Sequence, residues 1–314
     1  MKSNHLKFKK FILGLDIGGT KCAVVLGDKK MRIYDRLSFS TRPQRGWKRI
    51  WKQLFASIDE IILRNHLKPA SIYKAGISCG GPLDSRRGLI LSPPNLPGWD
   101  KVPIVKMLQK KLHCPVRLEN DANACAVAEW KFGAGRGCRN LVFLTFGTGL
   151  GAGLILNGRL YRGANDMAGE AGHIRLAMDG PMGYGKKGSF EGFCSGGGIA
   201  RMAKRDGGQT ISAKELFEAA SRGDKVSRRI LEKSVGYLGL GLSILIDLLN
   251  PERIILGGIY YRNEKFFRSA ALKVIRQEAL ARSRSVCQIL PSGLGEKIGD
   301  IASLSVALMD ELDV

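Results

Sequence analysis

The sequence predicts an α/β chain built as two duplicated lobes with a central cleft. Three observations carry that prediction. Glycine-punctuated strand pairs open at about residue 11 and again at residue 140. Alternating strand and helix patterns come after each opening. The 314 residues also exceed what one hydrophobic core usually organises, so two lobes are the natural expectation. Aligning Gly18-Gly19-Thr20 with Gly147-Thr148-Gly149 gives an offset of 129 residues between the two openings. The expected boundaries are 1–119, with a C-terminal helix at about 299–314, for a small first lobe, and 120–298 for a large second one.

Residues 11–38 read as strand, turn, strand, turn, strand, in the pieces FILGLDIGG, TKCAVVLGD and KMRIYDRLSF. An amphipathic helix comes next, because Trp47, Ile50, Trp51, Leu54, Ile58, Ile61 and Ile62 fall on one stripe at helical spacing. A strand at 72–78 leads into the Pro- and Gly-rich loop 80–100, then a short helix at 103–112 and a strand at 115–119. The second opening, 140–156, repeats the strand, glycine turn and strand. Helices are expected near 196–206, 212–222, 224–249, 263–282 and 298–312, with strands near 253–257 and 286–290. Ser212 and Glu215 have the spacing of a capping box.

Hydrophobic content of 44% and charged content of 25% are those of an ordinary globular protein. The basic start MKSNHLKFKK precedes an apolar run that stops at Asp16, too short for a secretory core, and Asp247 interrupts the apolar stretch at 241–249. A cytoplasmic protein is expected. Seven scattered cysteines without a CxxC spacing read as reduced thiols rather than a disulfide framework. The net charge of +22 attracts polyanions. Its basic residues are spread, with mild clusters at Lys2–Lys10, Lys29–Arg36 and Arg42–Lys52, and no nucleic-acid recognition motif accompanies them. The expected reading is a solvated basic surface that also draws in small phosphorylated anions, with no specific nucleic acid and no membrane as partner.

Asp16-Ile-Gly-Gly-Thr-Lys21 closes the first strand. Gly18 and Gly19 let the backbone approach a phosphate, Thr20 adds a hydroxyl, and Asp16 offers a carboxylate where nucleotide-bound Mg2+ could sit. Gly147-Thr148-Gly149 is a second such turn, and two of them can grip a triphosphate. A dinucleotide fingerprint is excluded, because it must be followed by a helix and KCAVVLGD reads as a strand.

DIGGTK, CGGPLD, PPNLPGW, ENDANACA, FGTGLGAG, EAGH and IILGGI occur in order from about Phe11 to about Leu308. In this ordered set the chain resembles the ROK family (repressors, open reading frames and kinases) of the sugar kinase/actin superfamily. The resemblance implies two actin-like (RNase H-like) lobes and ATP-dependent phosphorylation of a hexose with Mg2+. Glucose at its 6-hydroxyl is the expected substrate, with N-acetylmannosamine or N-acetylglucosamine as alternatives. It implies that Asp121, in Glu119-Asn120-Asp121-Ala122-Asn123, is the general base; the structural alternative is a helix cap at Asn120 or Asp121. Gly80, Gly81, Asn95, Asn120, Glu170, His173 and Glu191 would face the sugar, with Asn95 and Asn120 offering both amide donors and acceptors. Asp16, Gly18, Gly19, Thr20, Lys21, Gly147, Thr148, Gly149, Gly257 and Gly258 would face ATP. Gly196-Gly197-Gly198 opens a helix and could meet an anion. A homodimer is expected.

A sugar sensor without catalysis is disfavoured by the presence of Asp16 and Asp121. A transcriptional regulator is disfavoured because only about ten residues precede the first strand, leaving no room for a helix–turn–helix. One departure stands out. Many ROK proteins carry CxCGxxGCxE, whose three cysteines join the EAGH histidine on zinc. Here Met182, Tyr184 and Ser189 occupy those positions and Glu191 remains, so no zinc is expected. The hydroxyl of Tyr184 or Ser189 is the expected partner for His173, with Met182, Phe190 and Phe193 packing the loop.

Overall fold

The computed structural model describes residues 10–208, 210–312 and 314. Of the basic cluster at Lys2–Lys10, all but Lys10 lies outside the described residues. The chain divides into two compact units of nearly equal length. One runs to Lys131 and takes in Arg162–Met167 and Glu296–Val314; the other comprises Phe132–Tyr161 and Ala168–Gly295. Residues 120–131, expected in the second lobe, therefore cluster with the first; most of their helix is buried.

In the first unit the opening segments form β1 (Phe11–Ile17), β2 (Lys21–Gly27) and β3 (Ile33–Ser40), an antiparallel meander. Helix α1 (Trp47–Arg64) then buries Ile50, Trp51, Leu54, Ile58, Ile61 and Ile62, the stripe read from the sequence, while Trp47 is half-buried. Removing six such side chains from water is worth on the order of 10 kcal/mol before the entropy of ordering them. Strand β4 (Ile72–Cys79) pairs parallel to β1. A short hairpin of β5 (Leu83–Asp84) and β6 (Leu89–Ile90), then α2 (Ile104–Leu112), lead to β7 (Val116–Asn120), which pairs parallel to β4 and hands over directly to α3 (Asp121–Phe132). The sheet order is β3-β2-β1-β4-β7. The C-terminal helix Ile298–Ala307 lies on it almost wholly buried, with Ser303 meeting the bare faces of Gly14 and Gly76. It ends at Ala307, short of the expected 312, where Leu308 N–H turns back to the Ser305 carbonyl.

The second unit opens on β8 (Leu141–Phe146), β9 (Leu150–Leu156) and the short β10 (Arg159–Leu160). A two-residue-strand hairpin of β11 (Met182–Gly183) and β12 (Lys186–Lys187) precedes α4 (Phe190–Cys194), α5 (Gly196–Gly207), α6 (Ala213–Ser221) and the long α7 (Lys225–Leu249). The Ser212–Glu215 capping box forms as the spacing predicts. Strand β13 (Arg253–Leu256), α8 (Gly258–Arg262), α9 (Glu264–Glu278), α10 (Ala281–Val286) and β14 (Gln288–Pro291) complete the unit. The single helix expected at 263–282 is thus broken. Ala279 adopts an extended conformation, and the Asp247 carboxylate of α7 accepts the Leu280 N–H at 3.1 Å, which starts a new helix. The sheet order is β10-β9-β8-β13-β14. Each sheet is an antiparallel meander with two parallel strands added beside its first strand, so the repeat inferred from the glycine turns is a repeat of topology.

Among the described residues no helix is long and apolar enough to cross a membrane. All seven cysteines are free.

Candidate active site

In the first unit the chemistry gathers at the ends of β1, β4 and β7. The parallel register places Ser78 opposite Asp16 and Asn120 opposite Cys79, so the three strands release their C-terminal turns at one edge of the sheet. The Gly18–Thr20 turn is pinned by Thr41 at the end of β3. The Thr41 hydroxyl donates to the Gly18 carbonyl at 2.6 Å, and its N–H donates to the Thr20 carbonyl at 3.0 Å. Gly19 is the contact point with the 92–99 loop, since a Cβ there would stand 2.6 Å from Asn95 Cβ and 2.8 Å from the Asn95 carbonyl oxygen. Buried Leu96 and Trp99 anchor that loop and leave Asn95 exposed.

Asn120 is the helix cap. Its side-chain oxygen accepts from Ala122 N–H at 2.9 Å and from Asn123 N–H at 3.3 Å. The oxygen is committed, so Asn120 offers a ligand its NH2 group but not the acceptor expected from the sequence. Asp121 is the first helical residue. Its Oδ1 accepts from Ala122 N–H at 2.8 Å, and a Cβ on Gly80 would sit 3.8 Å from Oδ2. Gly81 faces the Asn120 amide nitrogen in the same way, at 3.1 Å. The CGGP and ENDAN motifs are therefore one site, separated by the missing side chains of two glycines.

Burial raises the Asp121 carboxyl above its usual range, with the Ala122 N–H opposing the shift. Asp16 is pushed up to about 7, first by burial and then by repulsion from Asp121 and Asp300, against Lys21 and Arg36. Asp300 opens the C-terminal helix and is held by Arg36 Nε at 2.8 and 2.9 Å. Gly299 lies so close to Asp16 that a Cβ there would come within 2.8 Å of Oδ2. Sequence reading missed Asp300, Arg36 and Thr41, which belong to no motif and reach the site only through tertiary packing. Cys79 and Cys125 stand near both Asp16 and Asp121; burial and these carboxylates push their thiols well up, keeping them neutral.

In the second unit the Gly147–Gly149 turn, the EAGH segment, Glu191 and the Gly257-Gly258 pair come together. Glu191 Oε2 accepts from Leu150 N–H at 3.0 Å, and a Cβ on Gly149 would sit 2.7 Å from the same oxygen. Gly172 of EAGH packs against the Leu150 carbonyl and Glu191 Cβ. Gly258 has φ +57, and a Cβ there would overlap the Phe146 carbonyl at the end of β8. The N–H groups of Gly196 and Gly197 donate to the Gly147 and Thr148 carbonyls at 2.8 and 3.2 Å. The glycine-rich start of α5 thus seats the turn instead of meeting an anion directly.

Glu170 and His173 are exposed. The His173 ring stands edge-on to Tyr184, with centroids 5.8 Å apart at 70°. The hydroxyl partnerships expected for His173 do not form. Ser189 instead caps α4, accepting from Gly192 N–H at 3.1 Å and donating to the Gly183 carbonyl. Phe190 and Phe193 are buried as expected, but Met182 is 42% exposed. Among the described residues no group of three or more His, Cys, Asp or Glu could hold a metal ion.

Two sheets of one strand order, each opening on a glycine-turn hairpin, make this an α/β protein of the actin-like ATPase fold. The ROK family model matches residues 12–308, and the chain belongs to that family. It is 31% identical to the glucokinase of Halalkalibacterium halodurans over 265 residues, covering 79% of this chain and 80% of that one. Among solved structures it is 30% identical to the ROK hexokinase of Thermus thermophilus, with a TM-score of 0.82 over 97% of this chain and 100% of the other. It is also 30% identical to a ROK family glucokinase from Streptomyces griseus in complex with glucose and AMPPNP, with a TM-score of 0.81 over 95% and 99% of the two chains. With these relatives, the chain is a sugar kinase that takes its phosphoryl group from ATP.

Proposed function

We propose that the substrate is glucose, phosphorylated at its 6-hydroxyl, with Asp121 as general base. The observation that carries this reading is the state of the Asp121 carboxyl. One oxygen is fixed by Ala122 N–H, and the other faces the space that Gly80 leaves free. Desolvation raises its proton affinity, which suits a base that must accept a hydroxyl proton. The hexose oxygen attacks the γ-phosphorus, its proton passes to Asp121, and the bond from the γ-phosphorus to the bridging oxygen breaks to release ADP. In the first unit Asn120 Nδ2, Asn95 and the backbone of Gly80 and Gly81 would hydrogen-bond a sugar; in the second unit Glu170, His173 and Glu191 are the groups that would do so. Phosphoryl transfer depends mostly on such positioning and on charge stabilisation.

Asp16 fits Mg2+: it is a hard oxygen donor, and Asp121 and Asp300 crowd it with negative charge that a cation would relieve. The ion would neutralise phosphate charge. In the first unit the Gly18-Gly19-Thr20 turn, with Lys21, would take up phosphate; in the second unit the Gly147-Thr148-Gly149 turn would do likewise, and Gly257 and Gly258 would lie against the nucleotide. The homodimer and the cytoplasmic setting expected from the sequence belong to the same reading. The +22 charge splits into +11 for each unit, so neither unit is set apart as a polyanion-binding module.

A kinase assay across glucose, mannose, N-acetylglucosamine and N-acetylmannosamine tests the substrate, with glucose expected to give the highest kcat/KM. Asp121→Asn should lose about 10²–10⁴ in kcat while still binding sugar. A higher kcat/KM for an N-acetylhexosamine would replace glucose as the substrate. More than about a tenth of wild-type kcat in Asp121→Asn would remove the base from its role.

A further inference from the structure

The first unit carries a second cavity, of about 660 Å3, lined by Ser85–Gly88 of the β5–β6 hairpin, by α2, by β7 and by the chain end. Its ionic lining is mostly cationic: Arg86, Arg87, Lys106, Arg117 and Arg162, against Glu119 and Asp310. Several of these charges are already engaged. Asp310 lies 3.6 Å from Arg117 and 3.0 Å from Lys74. Arg87 makes a long contact of 3.9 Å with Asp84. Among the described residues Arg86 and Lys106 have no acidic partner, and both are exposed. The hairpin presenting Arg86 is held in place, because Ser85 donates its N–H and hydroxyl to Asp166 at 2.9 and 2.8 Å. The volume is that of a small-molecule site, and the charge selects anions.

The wall of this cavity is also the foundation of the ENDAN segment. The Glu119 side chain is 1% exposed and its Oε2 accepts from Arg162 Nε at 2.8 Å. Its Oε1 accepts from the Asn120 N–H and the Asn123 side chain, each at 3.0 Å. Arg162, 29% exposed, is therefore the counter-charge of a buried carboxylate that holds the residues on either side of Asp121. A buried carboxylate whose partner is drawn away is costly.

We propose that this cavity binds a phosphomonoester, gripped by Arg86, Lys106 and Arg117 and by the remaining guanidinium N–H groups of Arg162, and that its occupancy lowers turnover. A phosphate dianion takes paired N–H groups from arginine. By sharing Arg162 it loosens the hold on Glu119, and with it the Asn120–Asn123 turn that aims Asp121. Two sources have this chemistry: inorganic phosphate and a sugar phosphate, the latter being also the class of the reaction's product. The coupling rests on reading Asp121 as the catalytic base; the binding does not.

The test compares the wild type with Arg86→Ala/Lys106→Ala at constant ionic strength, titrating glucose 6-phosphate and inorganic phosphate separately by calorimetry and in the kinase assay. Both substitutions are at exposed positions outside the catalytic machinery, so the variant should match wild-type kcat and KM without added anion. The wild type should bind the phosphomonoester about tenfold more tightly than the variant, the loss expected for one or two charge-assisted contacts. It should show mixed inhibition against both sugar and ATP, with kcat falling about fivefold or more at saturation, and the variant should lose that mixed inhibition. Tighter binding of glucose 6-phosphate than of inorganic phosphate assigns the cavity to the product class; equal binding assigns it to the phosphate group alone. Equal affinity in the two proteins, or inhibition purely competitive in both, overturns the proposal. Calorimetric binding that persists while Asp121→Asn keeps its activity would instead fault the base assignment and leave the site standing.

Discussion

The turn at Gly18–Thr20 is braced by side chains and backbone together, and the turn at Gly147–Gly149 is braced largely by backbone. In the first, the Thr41 hydroxyl reaches the Gly18 carbonyl and Asn95 packs on Gly19. In the second, N–H groups of Gly196 and Gly197 satisfy the turn carbonyls, and the Glu191 side chain accepts from the neighbouring Leu150 N–H. At the 129-residue offset, Asp16 corresponds to Thr145, so the acidic group next to the turn exists only in the first copy. The hairpin has the same backbone plan in both units, while the two buried carboxyls with raised proton affinity, Asp16 and Asp121, lie in one. A backbone support tolerates little added volume; a side-chain support can rotate away.

Alanine substitutions at three glycines test that contrast, and they carry the largest expected effects. Gly258→Ala needs a left-handed conformation at φ +57 and overlaps the Phe146 carbonyl. It should cost about 3 kcal/mol or more, from the left-handed penalty and from overpacking together. Gly19→Ala meets the Asn95 carbonyl and Cβ and should cost about 1–3 kcal/mol. Gly149→Ala meets the tip of the Glu191 side chain, which can move. It should cost less than about 1 kcal/mol, the value of the lost Leu150 hydrogen bond, and show itself mainly in sugar KM. Urea denaturation of the three variants gives the ranking. Gly149→Ala proving as unstable as Gly258→Ala would end the distinction between the two kinds of support.

The elements were legible because their periodicities are clean. Six of the seven residues in the α1 stripe are buried, and both hairpins stand where glycine punctuates aliphatic runs. Three features were hidden for different physical reasons. The break at Ala279 depends on Asp247, 33 residues before Leu280, which no local pattern encodes. The membership of α3 in the first unit is a packing outcome, since its alanine-rich sequence is buried over most of its surface and has no single apolar face to read. Within the site, ENDAN and CGGP were visible as motifs, but the division of labour inside them was not. Asn120 and Asp121 are both plausible caps by sequence, and only the folded geometry gives that task to Asn120 and turns Asp121 Oδ2 toward Gly80. Asp300 was hidden because a single acid at a helix start usually serves the helix alone.

Asp16 offers the next test, of intermediate size. Its carboxyl is raised from 3.8 to about 7. The folded protein thus keeps a proton that the unfolded chain has released above pH 4. The stability from that proton is fully present below about 3.8 and is lost as pH rises through about 7, where the fold must hold a desolvated anion. Asp16→Asn removes the anion. The variant should be inactive or nearly so, yet more stable than the wild type at pH 8, by a few kcal/mol at most. The difference should shrink toward pH 5. Thermal denaturation at several pH values measures it. A variant equally destabilised at pH 5 and pH 8 would mean that Asp16 serves packing and not charge.

The smallest expected effect concerns the loop that does without cysteines. Its order comes from the chain itself. Met182 and Gly183 pair with Lys187 and Lys186, and Tyr184 and Gly185 form the turn with φ +42 and +76, both left-handed as a tight two-residue hairpin demands. Ser189 caps α4, and Lys186 Nζ donates to the His173 carbonyl at 2.8 Å. The backbone of His173 is thereby tied to the hairpin, and its ring meets Tyr184 edge-on. The contact is between rings, so the hydroxyl should be dispensable. Tyr184→Phe should leave kcat and KM unchanged. Tyr184→Ala should raise sugar KM about two- to tenfold, the worth of one aromatic pair, with little change in kcat. Elemental analysis should find well under one zinc per chain, and activity should survive a zinc chelator with Mg2+ in excess. Stoichiometric zinc on His173, or a Phe variant as impaired as the Ala variant, would show that metal or hydroxyl, not the ring contact, positions the histidine.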